Sequence, residues 1–509
     1  MFDSFNSIAN AAPWWSDLGK GVVVGPTDQW SFQFQRYINL FKYYSGAIFE
    51  DRLPVSEAQN DGAPALVQPV GLNISKLLCV ALSDALFGEW EDRSVDFEFD
   101  SREPIDDPVS EEDAARLKRF WNFSFDENEM DQRLWEVALD QNRYGGGVLK
   151  VKFDIEKENG LFFERIDTTA FYPIWHPDDH NKLIECYVAV LLPGTVAQSL
   201  YGYSGGQQWV NRIEHWTLDR YETRIGQMVI GSLSGKNPYG IIPFEYIPRF
   251  RSSGYYGESV IDDIYRVSDE VNMRIADIGE SLNYNTHPIR FGYNLPANFN
   301  QSNYPLSASV IWNFGRVVGA NEPPKLDMLE SRHPVPVEAF RHVEFLYDWA
   351  ITAAGTSAVS FGKDEGSQRS GATLALRMWP LVRAIKRSRM YNGSAYKRLM
   401  DKGIKILEAH KPNTVDPIIY NLHKRTRSNV MWSQIIPRAR IDVTNEIVQR
   451  MSTTPQLISL ETALKMFGDM RDIPGEITRI EEQQKTNSEL EMASNNTGAA
   501  PASETASQE

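Results

Sequence analysis

The chain is short of cysteine, of positive charge and of long apolar runs, and each shortage argues against a class of protein. Its 509 residues include two cysteines, Cys79 and Cys186, whose apolar surroundings predict buried, reduced thiols instead of a disulfide. No apolar run reaches the roughly 20 residues that span a bilayer. The N-terminal stretch MFDSFNSIANAAPWW has no basic region followed by an apolar core. We therefore expect no signal peptide, no membrane segment, and synthesis in the cytoplasm.

The charge balance argues against a protein that coats nucleic acid. There are 68 acidic and 52 basic residues, for a net charge of −16, whereas such a protein needs excess cations to displace counterions from phosphates. A protein that encloses DNA and lets it slide is still allowed, because an acidic surface repels phosphates and prevents sticking. The length is typical of about three domains.

The hydrophobic periodicity predicts helices followed by a mostly antiparallel sheet, which is an α+β class. A helix around Phe32–Phe49 opens the chain. The next predicted helices carry capping residues at their starts and are Asn73–Phe87 (stopped by Gly88), Ser110–Trp121 and Asp126–Arg143. The predicted strands alternate in hydrophobicity and are Val148–Phe153, Leu161–Ile166, Glu185–Leu192, Arg212–Leu218, Gln227–Ile230 and Phe244–Ile247.

A helix at Gly257–Asn283 carries an apolar seam from Val260 to Leu282. On another face, acidic residues recur every seven positions, with two more beside them. They are Asp263, Glu270, Asp277, Asp262 and Asp269. A solvated helix face is the ordinary interpretation of such a charge run.

A second helix, Val337–Ala354, follows a compact insert at 287–333 that has short β-prone runs such as Ala308–Phe314. The two helices are expected to form an antiparallel pair with the insert at its tip. Gly355–Ser370 is a Gly/Ser-rich loop.

After the loop comes one long, strongly basic helix, Ser370–His410, with a kink expected at Pro380. Asn392 and Gly393 weaken the helix in its middle, because neither is a good helix former. Short strands are predicted at Val430–Ile441. Three helices near the C-terminus and a disordered tail end the chain: Asn445–Met451, Leu460–Phe467, Glu476–Lys485 and Ser488–Glu509.

This order of elements resembles the portal proteins of tailed bacteriophages. The similar segments are NISKLLCVALSDALFGEW, LDQNRYGGGVLKVKFD, RIDTTAFYPIWHPDD, NPYGIIPFEYIPRF with GESVIDDIYRVSDEVNMRIADI, SGATLALRMWPLVRAIKR, and LISLETALKMFGDMRDIPGEITRIEEQ. They occur in the family's order and cover most of residues 70–485, leaving out the N-terminal arm and the tail.

The resemblance implies a portal-type fold, divided along the chain in a fixed order. The divisions are an N-terminal arm (1–69), a wing (70–253), a first stem helix (254–286), a clip (287–334), a second stem helix (335–354), a tunnel loop (355–370), a long wing helix with returning strands (371–440), crown helices (441–487) and a disordered tail (488–509).

The resemblance also implies a homo-oligomeric ring, usually a dodecamer, at one capsid vertex of the virion. Double-stranded DNA passes through it without sequence specificity during packaging and ejection. The expected partners are the terminase large subunit, the head–tail adaptor, and the major capsid and scaffolding proteins, met in the host cytoplasm during assembly. No cofactor, metal, membrane or catalytic role is predicted.

The tunnel loop is the part of the family that approaches DNA most closely, although no motif fixes the contacts. The candidate residues there are Gly355, Ser360, Lys363, Asp364, Glu365 and Arg369, of which Lys363 and Arg369 are the cations. The acidic stripe of the first stem helix is predicted to line the tunnel, because tight phosphate contacts would have to break at every step. The basic face of the long helix is predicted to pair with acidic surface on the same or adjacent subunits. DNA contact by this helix is the alternative.

Two other function classes stay open. One is a ring-forming connector or baseplate protein without DNA passage. The other is a hydrolase, metal-dependent if built on His176–His180, which holds four potential ligands but is also ordinary turn chemistry.

Glycine-rich stretches supply three weaker matches to catalytic motifs. Gly145–Gly147 follows a helix, which is the wrong end for an anion. Gly231–Asn237 falls short of a phosphate-binding P-loop in its spacing. Gly202–Gly206 matches a nucleophile elbow without the strand that must precede it.

Overall fold

The computed structural model describes residues 14, 27–52, 71–88, 95–101, 109–252, 254–286, 289–293, 325–329, 335–363, 376–413, 415–435, 440–453, 457–467 and 475–486. Helices and strands are mixed, which confirms the α+β class. The chain divides into two compact units, one of Met1–Phe87 with Ser94–Trp432 and one of Gly88–Arg93 with Ser433–Glu509. None of the described helices is both long and apolar enough to cross a bilayer.

The first unit contains helices from both ends of its sequence. They are α1 (Thr27–Ser45), α2 (Ala47–Arg52), α3 (Ile74–Phe87), α4 (Glu111–Glu127), α5 (Met130–Tyr144), α6 (Gly194–Tyr201), α7 (Val260–Thr286), α8 (Val337–Ala353), α9 (Trp379–His410) and α10 (Pro417–Arg425).

The strands of this unit form small antiparallel sheets. They are β1 (Val95–Ser101), β2 (Gly146–Phe153), β3 (Leu161–Ile166), β4 (Phe171–His176), β5 (Asp179–Pro193), β6 (Trp209–Thr217), β7 (Arg220–Ile225), β8 (Met228–Val229), β9 (Gly235–Lys236), β10 (Phe244–Pro248), β11 (Ile289–Tyr293), β12 (Lys325–Leu329) and β13 (Thr426–Trp432). The sheet orders are β10-β2-β3 and β4-β5-β6-β7-β8, with β9 beside β7, and β1 pairs with β13.

Side-chain caps place most of the early helices where the sequence predicts them. The Asn73 side chain accepts from the Lys76 amide at 2.9 Å at the start of α3, and Ser110 caps α4 through the Asp113 amide at 3.1 Å. The predicted start of α5 is wrong. Asp126 belongs to α4, and α5 begins after Glu129, which is left-handed with φ 51° and caps nothing with its side chain.

The backbone at the end of α5 lies very close to the backbone just before α7. Gly145 ends α5 with φ 91°, and a Cβ there would lie 2.3 Å from the Gly257 carbonyl oxygen. Only glycine allows both the left-handed turn and this contact. The predicted hairpin β2–β3 is confirmed, and Cys79 and Cys186 are buried free thiols as expected.

The predicted N-terminal arm contributes a helix that is anchored on the sheet of β4 and β5. In α1, Trp30 is almost fully buried and donates its indole N–H to the Pro173 carbonyl at 3.3 Å. Its ring lies against Trp14, Tyr172 and Tyr187. Residues 27–45 are therefore built into the first unit.

The insert between α7 and α8 begins and ends in paired strands. β11 and β12 pair antiparallel, with Ile289 opposite Leu329 and Tyr293 opposite Lys325. The chain therefore leaves along α7 and returns along α8, and the two helices pack together. The β-prone run Ala308–Phe314 lies outside the described residues.

The long basic helix differs from its prediction at the start. α9 begins at Trp379, so Pro380 occupies the first turn, where a missing N–H costs no helical hydrogen bond. Residues 376–377 are also helical and a turn at Met378 separates them from α9, so a break in the helix lies next to Pro380, where the sequence predicts a kink. The predicted strand at Val430–Ile441 is also displaced, because the strand is β13 and Ile441 belongs to the next helix.

The second unit contains helices α11 (Arg440–Ser452) and α12 (Leu460–Phe467) and a helix at residues 475–486. α11 and α12 pack through buried Ile447, Ala463 and Leu464. Ser459 caps α12 by accepting from the Thr462 amide at 3.2 Å. The predicted tail, 488–509, lies outside the described residues.

Candidate functional site

The helix pair α7–α8 is the candidate functional site, and one end of it is built into the core. Ser259, directly before α7, is fully buried. Its hydroxyl lies 2.9 Å from the Asn142 carbonyl oxygen and 2.7 Å from that of Arg143, at the end of α5. Val260 and Ile264 follow as buried core residues. Polar and apolar contacts together therefore fix the start of α7.

Elsewhere, both helices expose large apolar side chains. The apolar seam of α7 is buried at Val271, but Leu282 at its end is 47% exposed. The others, with their exposed fractions, are Met273 (48%), Val337 (60%), Phe340 (44%), Phe345 (58%) and Trp349 (56%). The rings of Phe345 and Trp349 meet edge to face at 5.8 Å. Several large apolar side chains exposed on two neighbouring helices are typical of a protein–protein interface.

Two of the predicted channel residues are half-buried and contact α1 of the same subunit. Asp262 forms an ion pair with Arg36 of α1 and also accepts from the Ser259 amide at 2.9 Å. Asp269 accepts a hydrogen bond of 2.8 Å from the Tyr43 hydroxyl, also on α1. The prediction placed these two acids with the others in one stripe, whereas the packing of α1 on α7 separates them.

The other three acids share one face of α7, but arginines neutralise much of their charge. Glu270 and Asp277 lie 2.8 and 3.2 Å from the Arg274 guanidinium. Burial raises the pKa of the Asp263 carboxyl, and Arg249, 3.6 Å away, opposes that rise. The face is therefore of mixed charge. The spacing of Arg274 at i+4 from Glu270 signals this in the sequence.

The described part of the predicted tunnel loop is an ordered turn. Gly355 has φ 74°, a 3₁₀ helix spans Ala358–Phe361, and the Ser360 hydroxyl closes that turn on a carbonyl at 2.5 Å. The Lys363 ammonium lies 3.8 Å from the Asp348 carboxylate of α8. Three of the predicted loop residues lie outside the described part of the chain: Asp364, Glu365 and Arg369.

The C-terminal half of α9 uses its cations inside the subunit. Glu245 of β10 is 2% exposed. Its carboxylate accepts from the Arg398 guanidinium at 2.6 Å and from the Lys402 ammonium at 2.7 Å. These two cations therefore pair with an acid of the same subunit, but that acid is a buried carboxylate and not the acidic surface that the prediction named.

The N-terminal end of α9 has an exposed face that the sequence reasoning missed. We call it the outer stripe, and its members are Leu376 (in the helical residues before the turn at Met378), Trp379, Arg383, Lys386 and Met390. Leu376, Trp379 and Met390 are 74%, 51% and 61% exposed. The signal was a spacing of three, four, three and four, opposite the buried Leu381 and Ile385.

Comparison with known proteins assigns no family to the chain. No family model matches it, and no curated protein does. The sequence patterns that suggest catalysis are therefore judged by their geometry.

The cluster His176–His180 is the turn of the hairpin between β4 and β5. The Asp178 amide donates to His176 Nδ1 at 3.2 Å, and the Asp179 carboxylate accepts from the Asn181 amide at 2.9 Å. Within the described residues, no three His, Cys, Asp or Glu side chains gather closely enough to hold a metal ion. Asx-type turn bonds account for the residue types here.

The glycine-rich stretches also have local structural explanations. Gly202 ends α6 with φ 68°, so Ser204 follows a helix, where a nucleophile elbow needs a strand. Gly145–Gly147 join α5 to β2. Gly231–Asn237 begin with a 3₁₀ turn before β9. A Gly/Ser surface turn remains the simplest explanation of the stretch around Ser204.

Proposed function

We propose that the chain is a portal-protein subunit of a tailed bacteriophage, which forms a ring at one capsid vertex through which double-stranded DNA is packaged and ejected. The carrying observation is the apolar surface of α7 and α8. α8 alone exposes Val337, Phe340, Phe345 and Trp349 by 44% or more. One subunit leaves this surface open, and copies of the subunit would cover it.

A ring needs two different contact surfaces on each subunit, because a heterologous contact that repeats with the right rotation closes on itself. A helix pair with apolar side chains on several faces supplies such surfaces. The order of elements agrees with the resemblance: helices and sheets, an antiparallel helix pair ending in paired strands, a turn, and then a long helix.

In this proposal the stem is α7 and α8, the clip is 287–334 and the tunnel loop is 355–370. The ring, usually a dodecamer, would bind the terminase large subunit, the head–tail adaptor, and the major capsid and scaffolding proteins. DNA would pass without sequence specificity. The chain performs no catalytic step here, so the energy for DNA movement comes from the terminase.

The mixed charge of the α7 face changes the expected contact with DNA. Asp263, Glu270 and Asp277 remain the proposed channel-lining acids, with Arg274 among them. Three acids with two neighbouring arginines leave a small net negative charge, which repels phosphates only weakly and would allow sliding. Asp262 and Asp269 would act instead in holding α1 on α7.

Electron microscopy of the purified full chain tests the proposal. We expect closed rings with a channel wide enough for duplex DNA, and we expect Phe345→Ser/Trp349→Ser to assemble poorly. The matched control is Val196→Ser/Leu200→Ser on α6, which removes side chains that are 38% and 66% exposed and should assemble normally.

Rings too narrow for DNA would favour the connector or baseplate alternative. A wild-type chain that stays monomeric under every assembly condition would contradict the ring itself.

A further inference from the structure

The outer stripe of α9 has the geometry of a helix-packing seam, and no described residue of its own subunit fills it. Positions 379, 383, 386 and 390 of α9 follow a heptad spacing, which places their side chains in one row. Leu376, which comes before the turn at Met378, and Met390, at the end of the row, are 74% and 61% exposed. Leu381 and Ile385, on the opposite side, are 5% and 2% exposed. The helix therefore has one seam filled by the core and another left open.

The chemistry of the outer stripe defines what would fill it. Three of its side chains are apolar and two are cations. Arg383 and Lys386 are exposed and form no ion pair within the described residues, in contrast to Arg398 and Lys402. A fitting partner is a helix face that combines large apolar side chains with carboxylates.

The outer face of α8 has this composition. Phe345 and Trp349 form an exposed aromatic pair. Exposed Glu338 lies seven residues before Phe345 and hence on the same face, and exposed Glu344 lies at its flank. Neither glutamate forms an ion pair within the described residues.

The two faces do not meet inside one subunit. At the end of α8, a Cβ on Gly355 would lie 3.5 Å from the Cβ of Ala384. Ala384 is on the inner side of α9, roughly 100° around the helix from Arg383. The end of α8 thus contacts the inner side of α9, while the outer stripe faces away.

We propose that the outer stripe of α9 in one copy packs on the outer face of α8 in the next copy. The contact joins Trp379, Arg383 and Lys386 to Phe345, Trp349 and the nearby glutamates. This inference rests on the proposed ring and identifies the residues that hold neighbouring subunits together. Because the two faces differ, the contact is heterologous and repeats around a ring.

A charge-swap experiment on the full-length chain tests the pairing. The protomer concentration at half-assembly is measured by mass photometry and analytical ultracentrifugation. We expect Arg383→Glu/Lys386→Glu to raise it by about tenfold or more, because close like charges replace attraction across the interface. Adding Glu338→Lys/Glu344→Lys to that variant should restore most of the assembly.

The matched control is Lys182→Glu/Lys405→Glu, which makes the same change in net charge at two exposed lysines. It should assemble like the wild type. Circular dichroism and thermal unfolding of each variant show whether its subunit is folded.

A cross-link between two different variants tests the contact without relying on charge. Leu376→Cys and Phe345→Cys chains are made separately, mixed, and treated with a short bismaleimide. Both native thiols are buried, so a linked dimer of the two variants is expected only when the stripe of one copy lies against α8 of another.

The results separate this inference from the ring itself. Normal rings from Arg383→Glu/Lys386→Glu would overturn the seam and leave the ring. Loss of assembly that Glu338→Lys/Glu344→Lys does not restore, with no cross-link, would overturn the pairing with α8. Normal rings that lose DNA retention would assign the stripe to nucleic acid. Open oligomers sensitive to the charge swap would support the seam and contradict the ring.

Discussion

The two halves of α9 carry similar charges and put them to different uses. In the C-terminal half, Arg398 and Lys402 converge on the buried carboxylate of Glu245. In the N-terminal half, Arg383 and Lys386 stand in solvent beside exposed apolar side chains. One half holds the subunit together, and the other is available for a neighbour. Charge along a helix therefore does not show where it acts until its partners are known.

Two residues in the middle of α9, Asn392 and Gly393, are poor helix formers. Asn392 is fully buried and exchanges two hydrogen bonds with the Gln141 side chain, at 2.9 and 3.2 Å. Its oxygen also accepts from the Tyr396 hydroxyl at 3.2 Å. The amide partners therefore account for Asn392 inside the helix. Next to it, a Cβ on Gly393 would make an ordinary contact 3.7 Å from Val430, so the space admits alanine and the packing does not explain the glycine.

The largest effect of a change in side-chain charge or polarity is expected in the C-terminal half, from Glu245→Gln. A neutral amide would leave two cations around a buried site without a counter-charge, which should cost about 3 kcal/mol of the free energy of unfolding. Urea denaturation followed by circular dichroism measures it. Arg383→Gln in the other half should change the free energy by less than about 0.5 kcal/mol, and equal losses would contradict the division.

A smaller effect is expected where the halves join, from Asn392→Leu. The change strips the Gln141 amide and the Tyr396 hydroxyl of a buried partner, at a cost of about 2 kcal/mol in the free energy of unfolding.

The double variant Gln141→Met/Asn392→Leu is the internal check for that junction. Removing both amides leaves neither unpaired, so the double variant should lose less stability than the sum of the two single variants. Additive losses would show that the amide pair is not a unit.

The smallest effect is expected at the start of the N-terminal half, from Pro380→Ala. Because Pro380 lies in the first turn of α9, the free energy of unfolding should change by less than about 0.5 kcal/mol. Ser394→Pro in the C-terminal half, at an exposed helix-interior position, should cost about 3 kcal/mol or more. A large effect of Pro380→Ala would show that the proline shapes the helix and does more than occupy its first turn.

Local patterns in the sequence predicted much of the first unit. The caps at Asn73 and Ser110 and the hairpin β2–β3 depend on residues close in sequence, and the structure confirms them. At Pro380 the sequence predicts a kink, and the structure has a one-residue turn at Met378 before α9 begins.

The candidate site was less predictable, because its charges meet partners distant in sequence. The pairing of Asp262 with Arg36 and of Asp269 with Tyr43 joins residues 226 positions apart. No local spacing encodes the packing of α1 on α7. The outer stripe shows the opposite case. Its spacing was visible in the sequence, but its exposure depends on which of two apolar rows the core selects.

The buried joint at Ser259 has a mechanical consequence. Its hydroxyl lies against the last carbonyls of α5, and the neighbouring Gly145 and Gly257 bring two backbones into contact. Short contacts of this kind leave no long side chain to stretch, so α7 meets the core at a stiff root instead of a hinge. A force applied to the far end of α7 and α8 would then be transmitted to α5 and β2. A larger residue at Gly257, which is buried against Gly145, would disturb this junction without changing the surface of the subunit.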